Sequence, residues 1–356
     1  MIVFCYGTTA EAIKLGPVMR RLDARGVPYR QWVTLQQAGT VLEALAGLGI
    51  PEPDEVIVCG RGGRPLHGTL DVVVWIGRIA GWALRNRRRL RGRRGHDVVV
   101  VHGDTMTSVV GALLARATHM DSAHVEAGLR SGDWRHPFPE ELDRRIVGRL
   151  ATVHYAPDDI AAGHLPGRDV VITHGNTVMD AIRDRVRSAP GRDGEERYGV
   201  VLLHRFEFLG NGALVRRTLD TIVRHAPERV VMVVDDLARH SLAAVLPGLP
   251  DDRVRVVDKM PHGAFAELVA GAAFIVTDSG GVQEEAAMLG VPTLVHRRAT
   301  ERTEGLGANV LLSGWDVEVL RDFLGDVDAL RTAPKDDGVS PSQIVVDDLV
   351  GRRYAS

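Results

Sequence analysis

The chain has 356 residues, 45% of them apolar and 25% charged, with a formal net charge of −2 at pH 7. That length favours two domains, because a single core rarely grows past about 250–300 residues. The near-balanced charge gives no reason to expect nucleic acid or an anionic membrane as the main partner.

Lysine occurs only at positions 14, 259 and 335, against 41 arginines, which makes Lys14 stand out. Two cysteines, Cys5 and Cys59, suit a reducing compartment. No basic n-region precedes the first apolar run, so no secretory signal is expected. The longest apolar stretch, VVVWIGRIAGWAL, is broken by Arg78, so no membrane span is expected either. A soluble cytoplasmic protein is the expectation.

Residues 2–6, IVFCY, read as a fully buried strand. It leads through Gly7-Thr8-Thr9 into the helical pattern AEAIKLGPVMRRL, whose N-terminus suits an anion. The G-x-G-x-x-G spacing of a dinucleotide fingerprint is absent. Trp32 to Leu35 reads as a second strand, followed by a helix over about 40–48. GRGGRP at 60–65 reads as a flexible loop. A helix over about 69–84 runs into the basic stretch RNRRRLRGRR at 85–94, read as a solvated helix end with a polyanion patch as the alternative.

HDVVVVHGDTMTSVVGALLARATH, at 96–119, is a central parallel strand, a turn and a helix. Ligands of open α/β sheets bind at strand C-terminal ends, which puts Asp104 at the expected site edge; a helix-capping role is the alternative. SAHVEAG repeats the pattern and delivers Glu126 to the same edge. VHYAP and VVITHGNTVMD read as the last strands of a first domain and the connection out of it.

YGVVLLH opens the second half and ends at His204, which is a core histidine or a site residue. RVVMVVD and VRVVDKM are further strands with helical patterns between. FIVTDSGGVQEEAAMLGVPTLVH is strand, Ser-Gly-Gly turn, helix and strand. Its small residues at 279–281 either admit a phosphate to the backbone N–H groups or simply cap the helix. Glu284 and Glu285 follow, one of them a candidate for a ribose. SPSQIVVDDLVGRRY reads as a terminal helix. Strands alternating with helices in both halves imply two Rossmann-like domains with a cleft between them.

Within the first half of this pattern the stretch HVEAGLRSGDWRHPFPEELDR, 124–144, carries Glu126 and Glu140 on either side of a loop shaped by Gly128, Gly132, Pro137 and Pro139. Carboxylates on such a loop suit proton transfer beside a sugar or phosphate ester. The bland alternative is that they cap a helix or pair with Arg130, Arg135, Arg144 and Arg145.

Taken together, GTTAEAIK (7–14), HGDTMT (102–107), HVEAGLRSGD (124–133), PEELDR (139–144), GNTVMDA (175–181), HRFE (204–207), TDSGGVQEEA (277–286) and TERTE (300–304) resemble the UDP-N-acetylglucosamine 2-epimerases, over nearly the whole chain. The resemblance implies an α/β fold of two Rossmann-like domains in the GT-B arrangement, with the active site in the interdomain cleft. The expected division is 1–180 as the sugar and catalytic-acid domain, 181–338 as the UDP-binding domain, and 339–356 as a helix packing back on the first domain.

It also implies elimination of UDP across C1–C2 to 2-acetamidoglucal. UDP is then added back in the non-hydrolysing enzymes, or water in the hydrolysing ones, which release N-acetylmannosamine. Asp104, Glu126 and Glu140 match the family's catalytic carboxylates, and His204 its active-site histidine near the leaving diphosphate. Lys14, Arg144, Glu207, Ser279, Gly280, Gly281, Glu285 and Arg302 match positions that hold or flank UDP and substrate. No cofactor and no metal are implied; a UDP-N-acetylhexosamine substrate and a homodimer are.

Departures bear on this. Thr9 and Ala10 replace an Arg and a Pro of the family's first turn, removing a guanidinium expected near the diphosphate. Phe206 and Phe208 replace an Arg and an Asn. TLQQAGT and GRGGRPLHGTL stand where non-hydrolysing bacterial members bind a second UDP-GlcNAc, so the activator site is expected to be altered or absent. A GT-B glycosyltransferase and a non-catalytic sugar-nucleotide-binding homologue are the alternatives.

Overall fold

The computed structural model describes residues 1–36, 40–58, 69–132, 139–186, 196–300, 302–334 and 338–354. Cys59, the GRGGRP loop, Arg135, Pro137 and part of TLQQAGT lie outside the described residues. The chain forms two compact units, Met1–Ala181 with Gly338–Ser356, and Ile182–Asp337.

In the first unit the strands are β1 (Ile2–Tyr6), β2 (Tyr29–Val33), β3 (Glu55–Val56), β4 (Val98–His102), β5 (Asp121–Val125), β6 (Val153–Ala156) and β7 (Asp169–Ile172). They form one sheet in the order β3-β2-β1-β4-β5-β6-β7, with every pairing parallel. The helices are α1 (Thr9–Ala24), α2 (Thr40–Gly47), α3 (Thr69–Asn86), α4 (Met106–Ala117), α5 (Glu140–Leu150), α6 (Asp159–Gly163) and α7 (Val178–Val186).

An all-parallel sheet needs both faces covered, so its strands are apolar throughout rather than alternating. In β1, Ile2, Phe4 and Tyr6 enter a core with α1 residues such as Leu15 and Met19. Val3 and Cys5 face the other side, with Trp75 and Ile79 of α3 and Leu114 of α4. Burial pushes the Cys5 thiol up, leaving it an inert core group.

The second unit has β8 (Tyr198–Leu202), β9 (Arg229–Val234), β10 (Val254–Asp258), β11 (Phe274–Thr277), β12 (Thr293–Val295) and β13 (Val310–Leu312), in the parallel order β10-β9-β8-β11-β12-β13. Its helices are α8 (Phe206–Leu209), α9 (Gly212–His225), α10 (Asp236–Ser241), α11 (His262–Ala270), α12 (Gly280–Leu289) and α13 (Val317–Gly325). Again the sheet is buried on both faces, with Val201, Phe274 and Val276 on one side and Val200, Leu202 and Ile275 on the other.

The last helix, α14 (Pro341–Gly351), belongs to the first unit. It packs on α1 and places Val345, Val346 and Leu349 in the core shared with β1. Ser342 N donates to Asp180 at 2.8 Å and the Tyr155 hydroxyl to Asp348 at 2.8 Å. Among the described residues no helix is long and apolar enough to cross a membrane.

The expected second strand is displaced. It runs from Tyr29 to Val33 and stops before Leu35, whose φ of +45° takes it out of the extended region. The expected helix over 69–84 extends two residues into the basic run. Strand β13 and helix α13 fall in a stretch for which no elements were expected.

Both sheets reverse strand order at one point, between β1 and β4 in the first and between β8 and β11 in the second. Such a switch point opens a crevice at the carboxyl ends of its strands, where ligands of this architecture bind.

Candidate active site

In the first unit the switch point begins at Gly7. A side chain there would meet the hydroxyls of Thr34 and Thr107 at 2.3 Å, so only glycine lets these segments close together. Thr8 then caps α1 reciprocally with Glu11, a capping box. One turn further on, Lys14 reaches across to Glu126, Nζ to Oε2 at 2.7 Å. His102 Nε2 lies 3.2 Å from the same oxygen. The side chains of Lys14 and Glu126 are 15% and 6% exposed, so this pair is largely shielded from water.

Glu126 follows β5 directly with φ +63°, a left-handed conformation that a side-chain-bearing residue holds only at some cost. That conformation turns the carboxylate back toward α1. Behind it, His124 is buried and its Nε2–H donates to the Gly103 carbonyl at 2.8 Å. Burial pushes its imidazole down to about 3, so it stays neutral.

Asp104 lies in the turn after β4, beside β5. It does not cap α4: Thr105 does, accepting from Ser108 N at 3.1 Å. The Asp104 carboxylate pairs with Arg144 of α5. Arg144 also lies 3.5 Å from Glu141, which pairs with Arg145 at 3.0 Å. The simple ion-pair reading of this acidic stretch therefore describes Glu141. Glu140 opens α5, and its Oε2 is buried with no hydrogen-bond partner among the described residues.

One turn beyond Glu140 is Asp143, which the sequence reading passed over. It is buried on α5, and burial, then the charges of Asp104 and Glu140, push its carboxyl up to about 7 from an ordinary 3.8. A raised folded-state value means that the group's contribution to stability is complete below pH 3.8 and is lost as pH rises through 7. Asp143→Asn therefore stabilises the fold by about 2–3 kcal/mol above pH 8, with the gain vanishing toward pH 4. Urea titrations at the two pH values measure this, and an equal shift at both would contradict it.

In the second unit His204 stands two residues past β8, half-buried, with Nδ1 3.7 Å from Asp235 and Nε2 3.9 Å from Asp278. It is not a core histidine. Asp278, fully buried at the end of β11, accepts the backbone N–H groups of His204 (3.0 Å) and Arg205 (2.8 Å). Asp278 thus fixes the turn that carries His204 across the switch point. Glu207 is exposed in the first turn of α8. Of the two departing aromatics, Phe208 is a core residue edge-on to His296, while Phe206 is 75% exposed beside His204 and Glu207.

Ser279 occupies the cap position of α12, but its side chain makes no capping bond, and Gly280 and Gly281 follow. The α12 N-terminus therefore has its first amide groups and a hydroxyl available for a phosphate-like group. On α12, Glu284 pairs with Arg302, while Glu285 is buried beside it in sequence. Gln283 holds the loop that carries Arg302, donating to the carbonyls of Arg302 (3.1 Å) and Glu304 (3.2 Å).

The structure thus pairs Lys14 with Glu126 and Asp104 with Arg144 at the carboxyl edge of the first sheet, and places Glu140 on α5 one turn before Arg144. It gathers His204, Ser279, Gly280, Gly281, Glu285 and Arg302 at that of the second, with Glu207 on its margin. The sequence reading missed Glu11, His102, Asp143, Asp278 and Gln283. The T-x-x-E spacing of Thr8 and Glu11 was a legible signal; the others are defined by contacts distant in sequence. Among the described residues no group of three or more His, Cys, Asp or Glu side chains is placed to hold a metal.

Comparison with known proteins bears on what this arrangement does. The profile of the family described as UDP-N-acetylglucosamine 2-epimerase matches residues 75–324. The UDP-N-acetylglucosamine 2-epimerase of Bacillus subtilis is 36% identical over 285 residues, covering 72% of this chain and 73% of the relative. That of Yersinia pestis is 32% identical over 347 residues, covering 90% and 88%. Among solved structures, the Methanocaldococcus jannaschii UDP-GlcNAc 2-epimerase in complex with UDP-GlcNAc and UDP superposes with a TM-score of 0.76 at 27% identity, covering 98% of this chain and 99% of that one.

Proposed function

The chain belongs to the UDP-N-acetylglucosamine 2-epimerase family, and we propose that it interconverts UDP-GlcNAc and UDP-ManNAc by eliminating UDP and adding it back. A base takes the C2 proton as the C1–oxygen bond to UDP breaks, giving 2-acetamidoglucal and UDP. Protonation of C2 from the other face, with return of the UDP oxygen to C1, gives the epimer. The observation that carries this reading is the pairing of Glu126 with Lys14 and of Asp104 with Arg144 at the carboxyl edge of one sheet, with Glu140 one turn before Arg144 on α5. Removing and returning one proton on opposite faces of a ring requires more than one acid–base group, and this edge offers three.

On this reading the first unit handles the sugar and the second holds UDP. Ser279 and the amides of Gly280 and Gly281 take the diphosphate, with His204 and Arg302 near the charge that develops as UDP leaves. Glu285 accepts from the ribose hydroxyls. Glu207 flanks the substrate. Thr9 removes one guanidinium from this set, so the helix N-termini carry more of the anion stabilisation. The enzyme works in the cytoplasm as a homodimer. An outward apolar stripe of Leu70, Val73, Ile76 and Leu84 on α3 supports the dimer, and its mass in solution decides it.

A proton NMR time course with UDP-GlcNAc in deuterated water tests the reaction. UDP-ManNAc carrying deuterium at C2, without accumulating UDP, is expected. Free deuterated N-acetylmannosamine with equimolar UDP would replace this by the hydrolysing branch, which the altered activator segments favour. No exchange at C2 would remove UDP-GlcNAc as substrate. Sugar transfer to an added acceptor, or UDP binding without any change in the sugar, would favour a GT-B glycosyltransferase or a silent binding homologue.

A further inference from the structure

Glu11 is a fully buried carboxylate to which the reaction assigns no role. As a capping-box partner it needs to reach only the start of its own helix. It does more. Its Oε2 accepts Gly7 N, Thr8 N and the Thr8 hydroxyl, each at 2.9 Å. Its Oε1 crosses to the turn after β4, accepting the Thr105 hydroxyl at 2.7 Å, with the Ser108 hydroxyl at 3.5 Å. Thr105 in turn caps α4 and is the neighbour of Asp104. One carboxylate thus spans the switch point of the first sheet, joined on one side to the turn that launches Lys14 and on the other to the turn that carries Asp104.

We propose that Glu11 is a positioning residue that fixes the Lys14 turn and the Asp104 turn at the separation the reaction needs, an inference that rests on the function proposed above. The chemistry of the contacts requires an acceptor-only group, since every partner offers N–H or O–H. Burial pushes the carboxyl up to about 7 against those donors, so the position is occupied by an acid in spite of a desolvation cost. An amide in its place presents N–H groups to donors at one of the two turns.

One turn leads to Lys14, which holds Glu126, and the other carries Asp104, which Arg144 holds, so a small change in their spacing falls on the chemical step. Displacements of about 1 Å in a reacting constellation cost on the order of a hundredfold in rate. Glu11→Gln is expected to lower kcat for epimerisation by about 30- to 100-fold with KM for UDP-GlcNAc within about threefold of the parent. Thr105→Val, which removes the arm to the second turn together with the α4 cap, is expected to cost about tenfold in kcat, and Thr105→Ser, which keeps both bonds, to restore it to within about twofold.

The full-length protein serves for each variant, with thermal unfolding recorded alongside. If Glu11→Gln fails to fold, the Thr105 pair decides. A kcat within twofold of the parent in a folded Glu11→Gln or Thr105→Val protein, or a loss confined to KM, overturns the proposal. Amide hydrogen exchange separates this from the functional reading. Were the parent inert toward UDP-GlcNAc, faster exchange over residues 103–108 in both variants would still support the latch, and unchanged exchange would overturn it.

Discussion

Glu126→Gln lowers turnover by about a thousandfold. General acid–base groups contribute typically 10²–10⁴ in rate, and Glu126 is the most enclosed of the three candidate carboxylates, held by Lys14 at 2.7 Å and with His102 at 3.2 Å. The amide preserves shape and removes the proton acceptor. It also leaves the Lys14 ammonium, itself only 15% exposed, facing a neutral group. A stability loss of about 1–3 kcal/mol accompanies the substitution, since an enclosed charge loses its partner. Deuterium wash-in at C2 of UDP-GlcNAc, read against thermal unfolding, separates the two effects. If exchange stays within tenfold of the parent, Glu126 does not carry the proton, and Asp104 or Glu140 takes its place.

Gly128→Ala strongly destabilises the first unit. Two separate constraints meet at this residue. Its φ of +86° is open to glycine and costly to alanine. A methyl group there would also lie 2.1 Å from the Ala161 carbonyl oxygen and 2.6 Å from its carbon. That carbonyl is helix backbone in α6 rather than a flexible side-chain end. The Gly128 carbonyl is itself held by His164 Nδ1 at 2.9 Å, so the turn cannot simply retreat. A loss of about 4 kcal/mol or more is expected, against a total stability of about 5–15 kcal/mol for a typical domain. The urea midpoint of purified protein, or its absence from the soluble fraction, reports this. A loss below about 1 kcal/mol would mean that the turn after β5 is free to shift.

The fold was legible where burial on both sheet faces forces an unbroken apolar run, as in IVFCY, VVVV and FIVT. It was less legible at β2, where Tyr29, Arg30 and Gln31 precede the apolar Trp32 and Val33 and disguise the strand's start. Strand β13 has three residues, too few for any period to show. The site shows the same division. Asp104, Glu126, His204 and Ser279 follow apolar strands and so announce themselves as edge residues. Asp278 and Gln283 act through backbone groups far along the chain, and Asp143 is distinguished from its neighbours only by what surrounds it. The pairing of Arg302 with Glu284, leaving Glu285 as the other buried acid of α12, is likewise a matter of which side of a helix turn faces the loop.

The return of α14 to the first unit has a bearing on how the protein is made. Domains generally fold in the order in which they leave the ribosome. Here the second unit is a continuous segment complete at Asp337, whereas the first still lacks Val345, Val346 and Leu349 of its core at that moment. The unit begun first is finished last. Until α14 emerges, the face of α1 that it covers stays exposed while the later unit already has all of its strands.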